Sequence, residues 1–439
     1  MKAQLFTLLA AAAVGTGTVQ ARGEYAEIAR LRSMNETVRG IRSMADGEHY
    51  TILEGNNIVR YGYAAAGQGE QMLPKPTANL VVTDYAFSPD ERMILIASGR
   101  TPIYRHSYTT QYHLLADGRI RPVLQEAEAP RDASFSPDGK LIAYSDRNDL
   151  YVYDTAGKRT RRITDDGAWN SVINGTTDWV YEEEFGFTKA YAFSPDSRRI
   201  AYLRFDESEV PLMEMMRFDG KLYNQAYSFK YPKAGERNST VEVWVCDLAT
   251  GARERIDTGG EADQYIPRIG WTPRGELWYE TRDRRQQQIV FRRLAADALT
   301  APQAEQQTIY RERSPRYVAH ETDRSFRWID GGRRFLIMQE TATGWMHLYL
   351  GEPGEPLRAL TEGRWEVTGI VGADDRAVYY TSTERSPLER NLYAVDYKGR
   401  HKRLLTPDKG FHTIAPSAGM RYYISTFSSA DDPGRVEIC

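Results

Sequence analysis

Phe135-Ser-Pro-Asp-Gly139, followed at once by Lys140-Leu-Ile-Ala-Tyr144, is one copy of a pattern that recurs along the whole chain. Serine and aspartate side chains bond to their own nearby backbone, proline presets φ in a turn, and glycine tolerates positive φ. Such a stretch predicts a tight β-turn feeding a strand of alternating apolar residues. Close copies stand at Phe87-Ser-Pro-Asp90 and Phe193-Ser-Pro-Asp196. Looser ones are Met44-Ala-Asp-Gly47, Trp271-Thr-Pro273, Trp328-Ile-Asp-Gly331, Gly372-Ala-Asp-Asp375 and Ala415-Pro-Ser-Ala-Gly419, which makes eight.

A second hairpin follows the turn strand, as in Leu150-Tyr-Val-Tyr-Asp-Thr-Ala-Gly157 running into Arg162-Ile-Thr164. Leu392-Tyr-Ala-Val-Asp-Tyr-Lys-Gly399 runs into Leu404-Leu-Thr406 in the same way. Each unit therefore holds about four strands, and most units span roughly 43 to 58 residues, the period of a β-propeller whose blades bury their faces against their neighbours. The predicted fold is all-β, an eight-bladed β-propeller of four-stranded antiparallel blades over residues 40–439. Two β-sandwiches would not require the same turn eight times. The last blade is expected to be incomplete, because the chain offers only Tyr422-Tyr-Ile-Ser-Thr-Phe427 and Arg435-Val-Glu-Ile438 after its final turn. A missing outer strand leaves an unpaired edge, which suggests a fragment.

The interval after the third Ser-Pro-Asp turn, about 78 residues, far exceeds the common period of such repeats. Its surplus, about 204–240, contains Glu209-Val-Pro-Leu-Met-Glu-Met-Met216 and Tyr231-Pro-Lys-Ala-Gly-Glu236. Met and aromatic side chains on an insertion predict a partner contact or a lid rather than a disordered linker. The interval before that turn holds Trp169 to Lys189, so both insertions flank one blade.

Within the earlier insertion lies Asp178-Trp-Val-Tyr-Glu-Glu-Glu-Phe-Gly-Phe187. Three adjacent carboxylates between bulky aromatics are costly, because like charges repel and apolar neighbours oppose ionisation. A solvated helix end is the plainest alternative, but such a run is also suited to meeting a cation.

The other bounds are broad. The chain has 439 residues and a net charge of −3 with acidic and basic residues nearly balanced, and no long basic run, which argues against nucleic acid as a partner. Met1-Lys2, the apolar stretch Ala3 to Val14 and Val19-Gln-Ala21 predict a secretory signal over 1–21, followed by an N-terminal segment over 22–39. Export to the periplasm or beyond is expected, with no membrane span after cleavage. Cys246 and Cys439 are the only cysteines; Cys246 sits in a strand pattern and reads as a small buried apolar residue. The seven histidines show no metal-ligand spacing, and no Gly-x-Gly-x-x-Gly, P-loop or Gly-x-Ser-x-Gly elbow occurs. No cofactor, metal or catalytic residue is therefore assigned.

From about Gly40 onward the chain resembles the N-terminal propeller of the dipeptidyl peptidase IV family, of the bacterial exported kind, within the prolyl oligopeptidase superfamily. The motifs that carry this are Ile103-Tyr-Arg-His-Ser-Tyr-Thr109, Asp178-Trp-Val-Tyr-Glu-Glu-Glu184, Asp206-Glu-Ser-Glu-Val-Pro211, Tyr231-Pro-Lys-Ala-Gly-Glu236, Gly363-Arg-Trp-Glu-Val367 and Asn391-Leu-Tyr393. The resemblance implies a substrate-selecting domain of a serine exopeptidase that removes N-terminal dipeptides, of X-Pro type. It implies that Glu183 and Glu184 hold the free α-amino group of the peptide, and that Arg105 steadies them and reaches a substrate carbonyl. His106 is expected to be structural, and 316–327 does not match the family's pattern. The Ser-His-Asp triad would lie on an α/β-hydrolase domain that this chain lacks, and the resemblance implies a homodimer of this chain formed through the arm at about 204–240. The alternative reading is a freestanding propeller that binds peptide N-termini or a protein without cleaving.

The physics suits the amine role. A peptide α-amino group has a pKa of about 7.7 to 8.0 and is mostly cationic at neutral pH. One carboxylate at roughly 4 Å gives about 4 kcal/mol of gross attraction at an effective dielectric near 20. An internal peptide bond carries no such charge, so converging carboxylates count from the chain end.

Overall fold

The computed structural model describes residues 38, 40–64, 67–74, 80–260, 262–295, 306–432 and 434–439. The expected signal over 1–21, and all of the segment 22–39 except Val38, lie outside these residues. Among the described residues eight antiparallel sheets succeed one another, as the repeats predict, and a separate two-stranded ribbon projects from the fourth. The first blade comprises Arg42–Ser43, His49–Glu54, Asn57–Gly62 and Glu70–Gln71. Blade 2 runs from Val82–Phe87 to Arg119–Val123, and blade 3 from Arg131–Phe135 to Thr160–Arg162. First strands of neighbouring blades contact each other, for instance Tyr191–Phe193 with Ile269–Trp271 in blades 4 and 5.

The recurrent turn has one hydrogen-bond scheme. Ser88 Oγ donates to Asp90 Oδ1 at 2.7 Å and accepts from the Met93 amide at 2.9 Å. Ser136 repeats this with Asp138 and Leu141, and Ser194 with Asp196 and Arg199. The residue after the aspartate takes the left-handed conformation: Glu91 at φ 57°, Gly139 at 72°, Ser197 at 58°. Glycine is the residue best suited there, yet Ser197 is used to advantage, because its hydroxyl accepts the Asp138 amide of the preceding blade at 3.0 Å.

The core sits between blades rather than within them. Ala201, Leu203, Val243 and Val245 of blade 4 pack on Leu277 and Tyr279 of blade 5, and comparable apolar layers fill the successive seams from blades 1 and 2 to blades 7 and 8. Stacked four-stranded sheets can bury both faces only in this way. The ring closes where Tyr422 stacks on Tyr63 at 5.4 Å between centroids, and the Ala418 amide donates to Ser43 Oγ at 2.9 Å. Among the described residues blade 8 has three strands, Phe411–Pro416, Tyr423–Ser428 and Arg435–Ile438, in accord with the expected incomplete last blade.

Two details differ from the repeat reading. Blades 4 and 5 are five-stranded, because their first strand is interrupted. In blade 4, Val172–Asn174 and Tyr191–Phe193 both pair with Arg199–Asp206, and in blade 5 Gln264–Tyr265 and Ile269–Trp271 both pair with Leu277–Asp283. The arm is also shorter than the expected 204–240. Arg204 and Thr240 belong to blade strands, since Asp206 pairs with Thr240 and Arg204 with Glu242. The insertion proper is the hairpin of Leu212–Arg217 and Gln225–Lys230 with its flanks. Sheet pairing extends past the point where the apolar alternation fades, so the boundary is set by the partner strand. Cys246 is buried and Cys439 exposed, both free.

Candidate functional site

The interruption of the blade 4 first strand carries the acidic run. Between Asn174 and Tyr191 the chain leaves the sheet and forms a short helix, α1 (Trp179–Glu183), with Glu184 as its C-cap. So short a helix has no stability of its own; tertiary contacts hold it. Asp178 caps it by accepting the Tyr181 amide at 2.9 Å and takes a second bond from Ser239 Oγ at 2.6 Å. Burial pushes the Asp178 carboxyl up to about 6, against the lowering effect of these donors. Val180, Tyr181 and Phe185 join the core between blades 4 and 5. The Tyr181 hydroxyl accepts the Ile266 amide at 2.8 Å, and Trp179 packs on Tyr231 at the base of the arm, 4.1 Å between centroids.

Successive helical residues turn by roughly 100°, so the three glutamates diverge. Glu182 points inward and is 1% exposed; its Oε1 accepts the backbone amides of His106 at 2.7 Å and Ser107 at 2.8 Å. The Glu183 side chain is 13% exposed, and its Oε2 lies 3.3 Å from Arg105 Nε. Glu184 is exposed. Arg105 lies between Ile94–Pro102 and Tyr108–Ala116 of blade 2, in a loop closed by the Ile103 amide on the Ser107 carbonyl at 2.9 Å. The His106 side chain is exposed; its backbone amide is what bonds here.

The region 316–327, unmatched by motif, forms a second helix, α2 (His320–Ser325), which reaches the end of α1. Arg324 Nη2 donates to the Glu184 carbonyl at 3.2 Å, and His320 packs edge-on against Phe185. Arg268 Nη2 donates to the Phe185 carbonyl at 3.0 Å and pairs with Asp323 at 2.9 Å, while the fully buried Arg282 holds the other Asp323 oxygen at 2.9 Å. Burial raises both Asp323 and the neighbouring Glu280 from their ordinary carboxylate values. Glu207 follows the blade 4 strand and is pushed up to about 8 by burial, with Asp178 adding to the rise.

The structure thus brings Glu183 and Arg105 together and sets Glu184 beside them on the same helix end. Sequence reading missed Glu182, Ser239 and the α2 contacts. For Glu182 a signal existed: three consecutive glutamates on one helical turn cannot all face one ligand.

An eight-bladed propeller whose fourth blade lends an acidic helix to an arginine loop of the second defines the class. The family model described as "Dipeptidyl peptidase IV (DPP IV) N-terminal region" matches residues 88–434, and the chain belongs to that family. Among curated relatives, dipeptidyl peptidase 4 of Trichophyton rubrum is 31% identical over 382 residues, covering 80% of this chain and 47% of the relative. Probable dipeptidyl peptidase 4 of Aspergillus flavus is 32% identical over 387 residues, with coverage of 80% and 47%. The crystal structure of Porphyromonas gingivalis dipeptidyl peptidase 4 superposes with a TM-score of 0.88 at 34% identity, covering 94% of this chain and 59% of that one. The chain spans about half the length of the curated relatives it matches.

Proposed function

We propose that this chain is the substrate-selecting propeller of an exported serine exopeptidase that removes dipeptides, of X-Pro type, from peptides with a free N-terminus. Glu183 and Glu184 receive the α-ammonium group, and Arg105 orients Glu183 and meets a substrate carbonyl. The nucleophile would come from an α/β-hydrolase domain one dipeptide away.

The observation that carries this reading is the Arg105–Glu183 contact at 3.3 Å, in which the arginine side chain remains 74% exposed. With the arginine this exposed, water screens the pair and its contribution to folding is modest. Stability therefore accounts poorly for setting Glu183 against Arg105, whereas a role in receiving a cation would account for it. The relatives' shared name, dipeptidyl peptidase 4, supports the same activity. The arm suits a homodimer contact. Its Leu212, Met215, Met216, Phe218, Leu222 and Tyr223 are all exposed on one hairpin, and clustered exposed apolar side chains suit a protein contact.

Calorimetric titration of the chain with a tripeptide bearing proline second, and with its N-acetylated twin, tests the amine role. Binding confined to the free amine is expected; equal binding of both twins would end the reading. Joined to a hydrolase domain, the chain should cleave after the second residue of the free peptide and refuse the acetylated one.

A further inference from the structure

We infer that Glu182, which is not itself a ligand for the amine, is the positioning residue that registers the Arg105 loop against α1; this rests on the amine reading of Glu183 and Arg105. The loop's own bonds set its shape but not its placement. Ile103 donates to the Ser107 carbonyl and Tyr104 to Ser107 Oγ at 3.2 Å, all within the turn. The Arg105 side chain, 74% exposed, is too free to hold the loop in place. Glu182 joins the loop to α1 from within: one carboxylate oxygen receives two consecutive amides at 2.7 and 2.8 Å. Ser107 is 4% exposed and Glu182 1%, so water is a poor substitute for this fork. Leaving two buried amides without their shared acceptor is costly whatever the acceptor's charge. Because Glu182 and Glu183 are adjacent, fixing the loop to the first sets the distance from Arg105 to the second.

The second Glu182 oxygen is buried and has no partner among the described residues. What the loop uses is thus one acceptor oxygen at a given reach, rather than the whole carboxylate. Geometry and charge can be separated on this basis. Glu182→Gln keeps the reach and an acceptor oxygen, Glu182→Asp keeps the charge but withdraws it by one methylene, and Glu182→Ala removes both.

Hydrogen exchange of the His106 and Ser107 amides, followed by mass spectrometry of the whole chain, reads the fork directly. Protection in the wild type is expected, and unprotected amides there would overturn the inference without any variant. Glu182→Ala and Glu182→Asp should each lose about tenfold or more in protection and in affinity for the free-amine tripeptide, the range that follows from losing such bonds. Glu182→Gln should stay within about threefold of wild type, as retained acceptor geometry predicts. In an Arg105→Ala background the affinity loss should vanish, because the positioned group is gone. Undiminished protection in the Asp variant, or an undiminished affinity loss without Arg105, would overturn the role. Should the wild type fail to distinguish the free from the acetylated peptide, the amine reading falls while the exchange measurement still judges the fork.

Discussion

Replacing Glu183 by glutamine removes one charge from the proposed clamp with little change of shape. In the wild type Arg105, Glu183 and Glu184 sum to one negative charge, which an incoming ammonium group neutralises. In the variant the same groups sum to zero, and binding leaves one uncompensated positive charge. Glu183 is only 13% exposed, so the lost attraction is stronger than in water. At roughly 4 Å the term lies between about 1 kcal/mol in water and about 4 kcal/mol at an effective dielectric near 20. Arg105, 74% exposed, can turn to solvent once unpaired and lessen the repulsion. A loss of about 2 to 3 kcal/mol is expected, or roughly 30- to 150-fold in affinity. Calorimetry at low salt with the free-amine tripeptide measures it, and unfolding should change less, since the exposed Arg105 partner is screened by water. A glutamine variant that binds the free amine within about twofold of wild type, a difference far below this Coulomb term, would refute the clamp.

Asp178→Ala should destabilise the blade 4 region by about 2 to 3 kcal/mol through the lost cap and the stranded Ser239 hydroxyl, while Asp178→Asn, which keeps an acceptor, should cost less than about 1 kcal/mol; urea midpoints at pH 5 decide. Because Glu207 is raised to about 8 when folded, the folded state holds a proton that the unfolded chain releases earlier. Stability should therefore fall as pH rises from about 4.5 toward about 8, and Glu207→Gln should flatten that part of the curve in urea titrations at pH 5 and 8. Deleting the arm residues 212–230 should convert a concentration-dependent dimer to a monomer in sedimentation velocity, and identical profiles for both chains would remove the arm from the interface.

The blade count was legible because its chemistry is local. In Ser88, Ser136 and Ser194 the hydroxyl finds its donor and acceptor within five residues, so the turn is encoded wherever the motif occurs. The insertion in blade 4 was legible as an excess over the repeat, and the acidic run as an unfavourable charge arrangement. Resemblance singled out Glu183, Glu184 and Arg105, and the structure places the first and last of these in contact.

The sequence alone therefore determined the repeat, its architecture and the candidate residues, since each depends on side chains reacting with nearby backbone or on a motif read in order. Tertiary structure decided the rest. Which glutamate turns inward follows from the packing of Val180, Tyr181 and Phe185 into the seam with blade 5. The fork from Glu182 spans 76 residues to His106, and the Arg324 bond to the Glu184 carbonyl spans 140. Where the arm begins depended on the strand opposite, as Asp206 pairing with Thr240 makes plain. Bonds across such separations depend on how neighbouring blades pack, and no local pattern of residues encodes them.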